Sequence, residues 1–243
     1  MITFEKVHKS LSGKKVLDGI DLNIKSGETL AIVGFSGAGK SVMLKHIVKL
    51  MTPDTGGVYI DGVSLLELSS SDLRKIRSKF GMLFQGSALL QSLSVYENIA
   101  LPLRQKAFKE DEEIDILVNQ RLNWVELNDV SQKFPVELSG GMQKRVGLAR
   151  ATIMNPSIIL YDEPTSGLDP VTSRKIDKLI VKLNKEMNVT SVVVTHDLIS
   201  ALSIGSKILM LHEGKIIEYS SPDEFVKSSV YEVQSFLRAQ RIY

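Results

Sequence analysis

The chain has 243 residues, of which 43% are hydrophobic, and its formal net charge is only +2. This length supports one substantial core; because lysine and arginine are scattered among aspartate and glutamate, the composition argues against a nucleic-acid-binding protein. Cysteine is absent, which excludes a disulfide framework and a thiolate metal site.

The first part of the chain predicts two half-buried strands, then a buried strand, a loop and a helix. Residues 2–7 and 21–24 alternate between apolar and polar side chains, as half-buried strands do. The continuous apolar run at 29–33 is typical of a fully buried parallel strand. From Lys40 onward, apolar residues recur at helical spacing and predict a helix that ends before Pro53.

The middle of the chain predicts a short mixed segment and then a run of helices. We expect a hairpin strand at 58–60, a capped helix at 71–77 and a strand at 80–84. Residues 95–136 predict a helical subdomain, and the charged stretch 109–115 within it fits either a surface loop or a helix start.

The last part predicts buried strands at 158–161 and 191–195, followed by a hairpin of residues 207–211 and 215–219. Strands that alternate with helices imply an α/β core with a parallel sheet. The amino terminus lacks the pattern of a signal peptide, and no window reaches the roughly 18 uncharged apolar residues that span a bilayer. We therefore expect a soluble chain whose membrane role is peripheral.

A glycine-rich segment between the buried strand and the first helix fits the phosphate-loop pattern G-x-x-x-x-G-K-[ST]. Its glycines allow backbone N–H groups to surround phosphate oxygens, and the helix that follows presents its positive end. We expect Lys40 to reach the β- and γ-phosphates and the Ser41 hydroxyl to bind Mg²⁺. Valine at position 42 leaves the α-phosphate to backbone N–H groups. The predicted phosphate-binding residues are Gly34, Phe35, Ser36, Gly37, Ala38, Gly39, Lys40, Ser41 and Val42.

Two acids follow the predicted strand at 158–161 and therefore belong at its carboxyl end, where parallel α/β sheets bind ligands. We expect Asp162 to hold Mg²⁺ and Glu163 to orient and deprotonate the water that attacks the γ-phosphate. Paired acids are otherwise most often solvated surface groups. Their position after a buried strand, in a chain with a phosphate loop, favours the functional interpretation.

Two further polar residues also follow strands. His196 ends the third buried strand, and we expect it to contact the γ-phosphate or Glu163, although a lone histidine is usually structural. Gln85 follows the strand at 80–84 and is a candidate oxygen ligand of Mg²⁺ or of the attacking water. From its spacing alone, an ordinary loop residue is the favoured interpretation.

A second glycine motif makes the pattern specific. Leu138–Met142 reads Leu-Ser-Gly-Gly-Met, and Leu160–Asp169 reads Leu-Tyr-Asp-Glu-Pro-Thr-Ser-Gly-Leu-Asp. With the phosphate loop, Gln85 and His196 in the same order, the chain resembles the ATP-binding-cassette (ABC) family over nearly its whole length. The resemblance implies the ABC ATPase fold of P-loop NTPases: a mostly parallel RecA-like sheet, an amino-terminal antiparallel β subdomain and an inserted α-helical signature subdomain.

The resemblance also implies one domain over 1–243. Residues 1–85 and 156–225 would form the nucleotide-binding core with its β subdomain, residues 86–155 the helical signature subdomain, and residues 226–243 a tail. From 231 to 243 the sequence fits an amphipathic helix that docks on a partner ATPase or, alternatively, a disordered end.

In ABC proteins two subunits sandwich two ATP molecules head to tail, so the resemblance implies a homodimer. Ser139, Gly140 and Gly141 would bind the γ-phosphate held by the opposite subunit, with Asp169 at the dimer seam. Hydrolysis would let the halves part and would move integral membrane permease subunits contacted from Gln85 to Leu93. Met142 stands where the signature usually has glutamine, which puts a side-chain contact from that residue in doubt.

The family usually stacks an aromatic residue on adenine, whereas this chain offers Leu11 and Val16. We therefore expect apolar packing on the base of ATP, without excluding GTP.

Val42, His46 and Met142 are most similar to the branch that serves lipid traffic of the Mla and Mce type. That similarity implies phospholipid or other hydrophobic cargo, an Mce-type substrate-binding partner, and a peripheral position on the cytoplasmic side of the inner membrane. The alternatives are a generic ABC importer or exporter, and a complex that transmits force without moving a solute.

Two other classes fit less well. Soluble ABC ATPases of DNA repair or translation usually carry two cassettes, coiled-coil inserts or zinc-binding cysteines. A small-molecule kinase does not explain the motif at 138–142 or the base at Glu163.

Overall fold

The computed structural model describes residues 2–105 and 110–240. Within these residues the strands form two sheets. Their bounds are β1 Ile2–Leu11, β2 Lys14–Ile24, β3 Thr29–Val33, β4 Thr55–Ile60, β5 Val63–Ser64, β6 Phe80–Leu83, β7 Ile158–Asp162, β8 Thr190–Val194, β9 Lys207–His212 and β10 Lys215–Ser220. The α-helices are α1 Lys40–Ile47, α2 Ser70–Arg77, α3 Val95–Gln105, α4 Asp111–Trp124, α5 Gly140–Thr152, α6 Pro170–Met187, α7 Leu198–Ile204, α8 Pro222–Val226 and α9 Tyr231–Ala239, and a 3₁₀ turn spans Pro135–Glu137.

The smaller sheet is antiparallel and has the strand order β2-β1-β4-β5. Phe4 on β1 lies opposite Leu22 on β2 and Val58 on β4, and all three side chains are buried. The half-buried strands predicted at 2–7 and 21–24 are confirmed as parts of the longer β1 and β2, and the antiparallel amino-terminal sheet that the family resemblance implies is present. Strand β2 of this sheet also contacts the larger sheet. The backbone N–H of Asp18 on β2 donates to the carbonyl of Gly214, in the turn between β9 and β10, at 2.9 Å.

The larger sheet has the order β10-β9-β3-β8-β7-β6 and is parallel except for the edge strand β10, which pairs antiparallel with β9. Every residue of β3 and β8 is buried, because helices or the other sheet cover both faces; this explains their unbroken apolar runs. The register pairs Ile32 with Val194, and Asp162 with Val194. The carboxyl ends of β3, β7 and β8 therefore meet at one edge.

The helical segment lies between β6 and β7 in sequence, and its buried apolar side chains form one cluster with residues of β6, β7, β8 and α6. Helices α3, α4 and α5 contact one another, and α5 also packs against β6. The predicted helix start in the charged stretch 109–115 is found at Asp111, whereas position 109 lies outside the described residues. The fold class is confirmed, and the exact boundaries of the helical subdomain stay a prediction. Among the helices described, none is both long and apolar enough to cross a bilayer.

The tail contains the predicted amphipathic helix, here α9. Its Val233, Phe236 and Leu237 side chains are buried against the chain's own core, near Ala31 and Val33 of β3. The apolar face of α9 is thus covered within one chain. Docking of the tail on a partner ATPase stays a prediction, and residues 241–243 lie outside the described part.

Candidate functional site

An open cleft of about 500 Å³ lies at the edge where β3, β7 and β8 end. It is bordered by the phosphate loop, by the amino-terminal sheet, and by the residues that follow β6, β7 and β8. Its lining residues are Leu11, Val16, Ser36, Gly37, Ala38, Gly39, Lys40, Ser41, Val42, Gln85, Glu163 and His196. All twelve were predicted as site residues from the sequence; they come from six separate segments of the chain, and the fold brings them together.

The phosphate loop runs from the end of β3 to the start of α1. Gly39 occupies the residue before α1 with φ 104°, and a Cβ there would lie 2.6 Å from the carbonyl oxygen of Val16. Only glycine fits, since both the backbone conformation and the space exclude a side chain. No side chain caps the amino terminus of α1. Its first N–H groups therefore remain available to an anion.

Lys40 crosses the inside of this loop. Its side chain is only 8% exposed, and its ammonium donates to the carbonyl oxygens of Gly34 at 2.8 Å and Phe35 at 3.1 Å. Burial lowers the pKa of Lys40, while the nearby charges of Glu163 and Asp162 act in the opposite direction. The ammonium lines the cleft, so it can exchange a carbonyl contact for a phosphate oxygen.

One loop residue does not present its side chain to the cleft. The ring of Phe35 packs edge-on against Phe236 of α9, with ring centroids 5.2 Å apart, and against His212. The ring of Phe35 therefore does not line the cleft, and its predicted place in the phosphate loop concerns its main chain. Gly34 also lies below the lining surface, where its carbonyl holds Lys40.

Ser41 and Asp162 form a polar pair at the end of β7. The Ser41 hydroxyl donates to Asp162 Oδ1 at 3.1 Å. Burial raises the pKa of Asp162, the bond from Ser41 lowers it, and the charge of Glu163 raises it further. Gln85 lines the same cleft and donates from Nε2 to the Ser166 hydroxyl at 3.4 Å. A hydroxyl, a carboxylate and an amide oxygen beside a phosphate loop suit a hard cation such as Mg²⁺. Within the part of the chain described, no cluster of three or more acids and histidines forms a separate metal site.

Glu163 is held at the junction of β7 and β8. Its backbone has φ 50°, a left-handed conformation that non-glycine residues rarely adopt, and its N–H donates to the Val194 carbonyl at 2.8 Å. Its Oε2 lies 2.8 Å from His196 Nδ1, and the glutamate side chain is 12% exposed against 63% for the histidine. The predicted contact between His196 and Glu163 is therefore present. The carboxylate is placed with one face towards the cleft.

Ser139, Gly140 and Gly141 do not line this cleft. They form the start of α5, where the Ser139 hydroxyl accepts from the Met142 N–H at 3.3 Å. Ser139 and Gly140 are exposed, whereas Gly141 is buried against α6, with Thr172 Cγ2 only 2.6 Å from where a Cβ would lie. One chain alone thus leaves these residues away from its own phosphate loop.

Lys144, one turn into α5, was not among the site residues predicted from the sequence. Its side chain is only 4% exposed, and its ammonium donates to the main-chain oxygens of Gln85 and Glu163, the latter at 3.2 Å. Burial lowers the pKa of Lys144, and the charges of Glu163 and Asp162 partly offset this effect. Gly141, Lys144 and Leu148 share one helical stripe and are all buried. A lysine within an otherwise apolar stripe was the signal available in the sequence.

Comparison with known proteins gives a consistent result. A protein-family model described as "ABC transporter" matches residues 17–166. The chain is 39% identical over 234 residues to the probable ribonucleotide transport ATP-binding protein mkl of Mycobacterium leprae. The aligned residues make up 96% of this chain and 67% of that protein. It is 40% identical over 245 residues to the methionine import ATP-binding protein MetN 1 of Bacillus licheniformis, covering 98% of this chain and 73% of that protein.

The chain therefore spans about two thirds of the length of the mycobacterial relative. Among solved structures, a dimeric post-hydrolysis state of the ATP-binding cassette MJ0796 bound to ADP and Pi is similar, with a TM-score of 0.83 and 39% identity over 91% of this chain and 99% of that one. The structure of cbiO1 from Clostridium perfringens, part of the ABC transporter complex cbiONQ, gives a TM-score of 0.85 at 30% identity, over 99% of this chain and 96% of that one.

Proposed function

The chain belongs to the ABC transporter family and carries its ATPase domain, and we propose that it binds and hydrolyses ATP to drive a membrane transporter formed with other polypeptides. One observation carries the proposal. Glu163 faces the same cleft as the phosphate loop and Lys40, and His196 lies 2.8 Å from its carboxylate.

In the proposed reaction, main-chain N–H groups of the phosphate loop and the Lys40 ammonium bind the triphosphate. Glu163 accepts a proton from a water molecule, which attacks the γ-phosphorus; the bond to the β–γ bridging oxygen breaks, and ADP and phosphate leave. His196 orients the carboxylate of Glu163 and lies where it can contact the γ-phosphate. Leu11 and Val16 border the same cleft and would pack on the base.

Mg²⁺ would be held by Ser41 and Asp162, with the Gln85 amide oxygen as a further ligand. Support comes from the hydrogen bond between Ser41 and Asp162 and from Gln85 in the cleft lining. When bound, the ion supplies positive charge that neutralises phosphate oxygens. The protein's own contribution is to place the oxygen atoms of Ser41, Asp162 and Gln85 beside the phosphate loop.

The complete site would require two chains, arranged as a homodimer with ATP between them. Ser139 and Gly140 are exposed at the start of α5 and lie outside their own cleft, which supports a role towards a phosphate bound by the partner. Asp169 is exposed at the start of α6, where its Oδ1 accepts from the N–H groups of Val171 and Thr172, both at 3.0 Å. The similar cassette MJ0796 has a dimeric structure.

The test is the variant Glu163→Gln, which keeps the shape of the side chain and removes the base. We expect hydrolysis to fall by about 100-fold or more, while the ATP affinity of the purified chain is retained and ATP with Mg²⁺ produces a stable dimer. Hydrolysis would be measured by phosphate release, binding by a fluorescent ATP analogue, and dimerisation by light scattering. Turnover at the normal rate would show that Glu163 is not the base.

The membrane partners would be permease subunits that contact the segment from Gln85 to Leu93, with the chain peripheral on the cytoplasmic side of the membrane. Cargo of the Mla and Mce kind, a phospholipid or other hydrophobic lipid, is our proposal for the transported molecule, and an Mce-type protein would then be the substrate-binding partner. Support for this branch comes from Val42, His46 and Met142.

Two relatives are named for ribonucleotide transport and methionine import, so the cargo proposal needs a direct test. The chain would be purified with its co-purifying permease, reconstituted into vesicles and supplied with ATP. Labelled phospholipid should move in the wild-type complex and stay in place in Glu163→Gln. Movement of methionine or of a ribonucleotide instead would refute the lipid proposal, and ATP hydrolysis without movement of any of the three would favour force transmission.

A further inference from the structure

The signature helix α5 holds the segment that follows β6. Lys144 donates to the Gln85 carbonyl, and Arg150 donates to the carbonyls of Ser87 at 2.7 Å and Ala88 at 2.8 Å. Three main-chain oxygens of a four-residue segment are thus bonded to two cations of one helix. Within this segment Ser87 and Ala88 have φ angles of 59° and 47°, a left-handed conformation that non-glycine residues rarely adopt.

The packing between α5 and this segment is tight. A Cβ on Gly147 would lie 2.6 Å from Leu83 Cδ1 and 3.4 Å from Ser87 Cβ. Glycine at this position lets the helix approach the end of β6 closely. The ammonium of Lys144 is therefore held at a fixed depth behind the cleft, and its side chain is almost completely buried.

Lys144 differs from Arg150 in one respect that bears on hydrolysis. Its ammonium also donates to the main-chain oxygen of Glu163 at 3.2 Å, whereas the contacts of Arg150 are with Ser87, Ala88 and Asn98. Glu163 is the residue whose left-handed backbone turns its carboxylate into the cleft. A single ammonium thus joins the backbone of the proposed base to the backbone of Gln85 and to α5.

We propose that Lys144 is a positioning residue for ATP hydrolysis, which fixes Glu163 and Gln85 relative to each other and to the signature helix without touching the nucleotide. Its positive charge also interacts with the charges of Glu163 and Asp162. Because α5 is one continuous helix from Gly140 to Thr152, displacement of its exposed start would be carried directly to the carbonyl of Glu163. This inference rests on the proposed role of Glu163 as the base.

The test compares Lys144→Met, Lys144→Arg and Arg150→Met in the purified chain. Methionine has a similar length and no donor, so in Lys144→Met we expect kcat to fall by about 10- to 100-fold, while KM and the affinity for a fluorescent ATP analogue stay within about threefold. Lys144→Arg restores a donor and should recover kcat to within about threefold of wild type. Arg150→Met removes contacts of the same segment but none to Glu163, and should keep kcat within about threefold.

Glu163→Gln is measured in parallel so that the two proposals can fail separately. If Glu163→Gln turns over normally, the base assignment fails. If Glu163→Gln is inactive and Lys144→Met is fully active, the assignment of Lys144 alone is refuted. The assignment is also refuted if Lys144→Met loses ATP affinity in proportion to kcat, if Lys144→Arg gives no rescue, or if Arg150→Met lowers kcat as much as Lys144→Met does.

Discussion

Two buried lysines approach the same pair of acids from two regions of the molecule. Lys40, in the phosphate loop, and Lys144, in the signature helix, are 8% and 4% exposed, and each donates to two main-chain oxygens. In both, burial lowers the pKa and the charges of Glu163 and Asp162 partly offset the effect. The difference is access, since Lys40 lines the cleft and Lys144 does not.

This comparison teaches that similar electrostatics can serve binding in one region and orientation in the other. The bonds of Lys40 connect residues of one loop, positions 34 to 40, and can be exchanged for bonds to a ligand. Those of Lys144 connect three separate parts of the chain, α5, Gln85 and Glu163, and have no ligand to replace them. Burial alone therefore does not tell which lysine binds phosphate.

The largest expected effect is a loss of ATP affinity when Lys40, but not Lys144, is replaced. Lys40→Met removes the ammonium that we propose binds the phosphates. Because a hydrogen bond to a charged group contributes about 1.5–3 kcal/mol, we expect ATP to bind about 100-fold more weakly. Titration of a fluorescent ATP analogue measures this affinity. Lys144→Met is the matched control, with the same substitution at a similarly buried site and unchanged affinity. Equal losses in both variants would abolish the distinction.

The sequence predicted the Lys40 region far better than the Lys144 region, for a physical reason. Strand, loop and helix around Lys40 are contiguous, so the phosphate-loop pattern reports the local geometry directly. The contact between His196 and Glu163 was also predictable, because both residues end adjacent parallel strands. The packing of the Phe35 ring was not predictable from the motif, since its partner Phe236 lies 201 positions later in the sequence.

The role of Lys144 depends on long-range packing as well. Its partners Gln85 and Glu163 lie 59 and 19 positions away in the sequence, and the helix pattern alone shows only a lysine among apolar residues. The same holds for the buried acid Asp177 on α6, whose neighbours come from α6 and from the segment after β8. Motifs thus identified the residues that we propose contact the ligand, and the fold was needed to find those that we propose support them.

Asp177 extends the comparison to a buried group of opposite charge. It is 1% exposed on its side chain, lies 2.8 Å from Arg174 Nη1, and accepts from the Ser200 hydroxyl at 3.1 Å. Arg174 also pairs with Asp197, the residue after His196. Burial raises the pKa of Asp177 to about 6, while Arg174 and Ser200 lower it and Asp197 raises it.

Between pH 4 and about 6, Asp177 therefore keeps in the folded state a proton that it has already released in the unfolded state. This group's contribution to the free energy of unfolding is fully present below about pH 4 and is lost as the pH rises to about 6. Each pKa unit corresponds to about 1.4 kcal/mol, and since Arg174 is partly exposed to solvent we expect a loss of about 2 kcal/mol. Urea unfolding at several pH values measures it. Asp177→Asn should show a smaller decrease over this range, and an identical pH profile in that variant would contradict the assignment.

The smallest expected effect concerns the part of the cleft proposed to hold adenine, where the chain has Leu11 in place of the family's usual aromatic residue. Leu11 is 37% exposed and lines the cleft with Val16, so a larger ring has room to lie over a bound base. In Leu11→Tyr we expect ATP to bind about three- to tenfold more tightly, because aromatic stacking contributes about 0.5–1.5 kcal/mol beyond area burial. The gain should be equal in the Lys144→Met background and should persist in Lys40→Met, since the contacts to adenine and to the phosphates are separate.

Leu11→Ile serves as the matched control without a ring. If tyrosine tightens binding no more than isoleucine does, adenine does not lie on Leu11, and the base must be held by another part of the cleft.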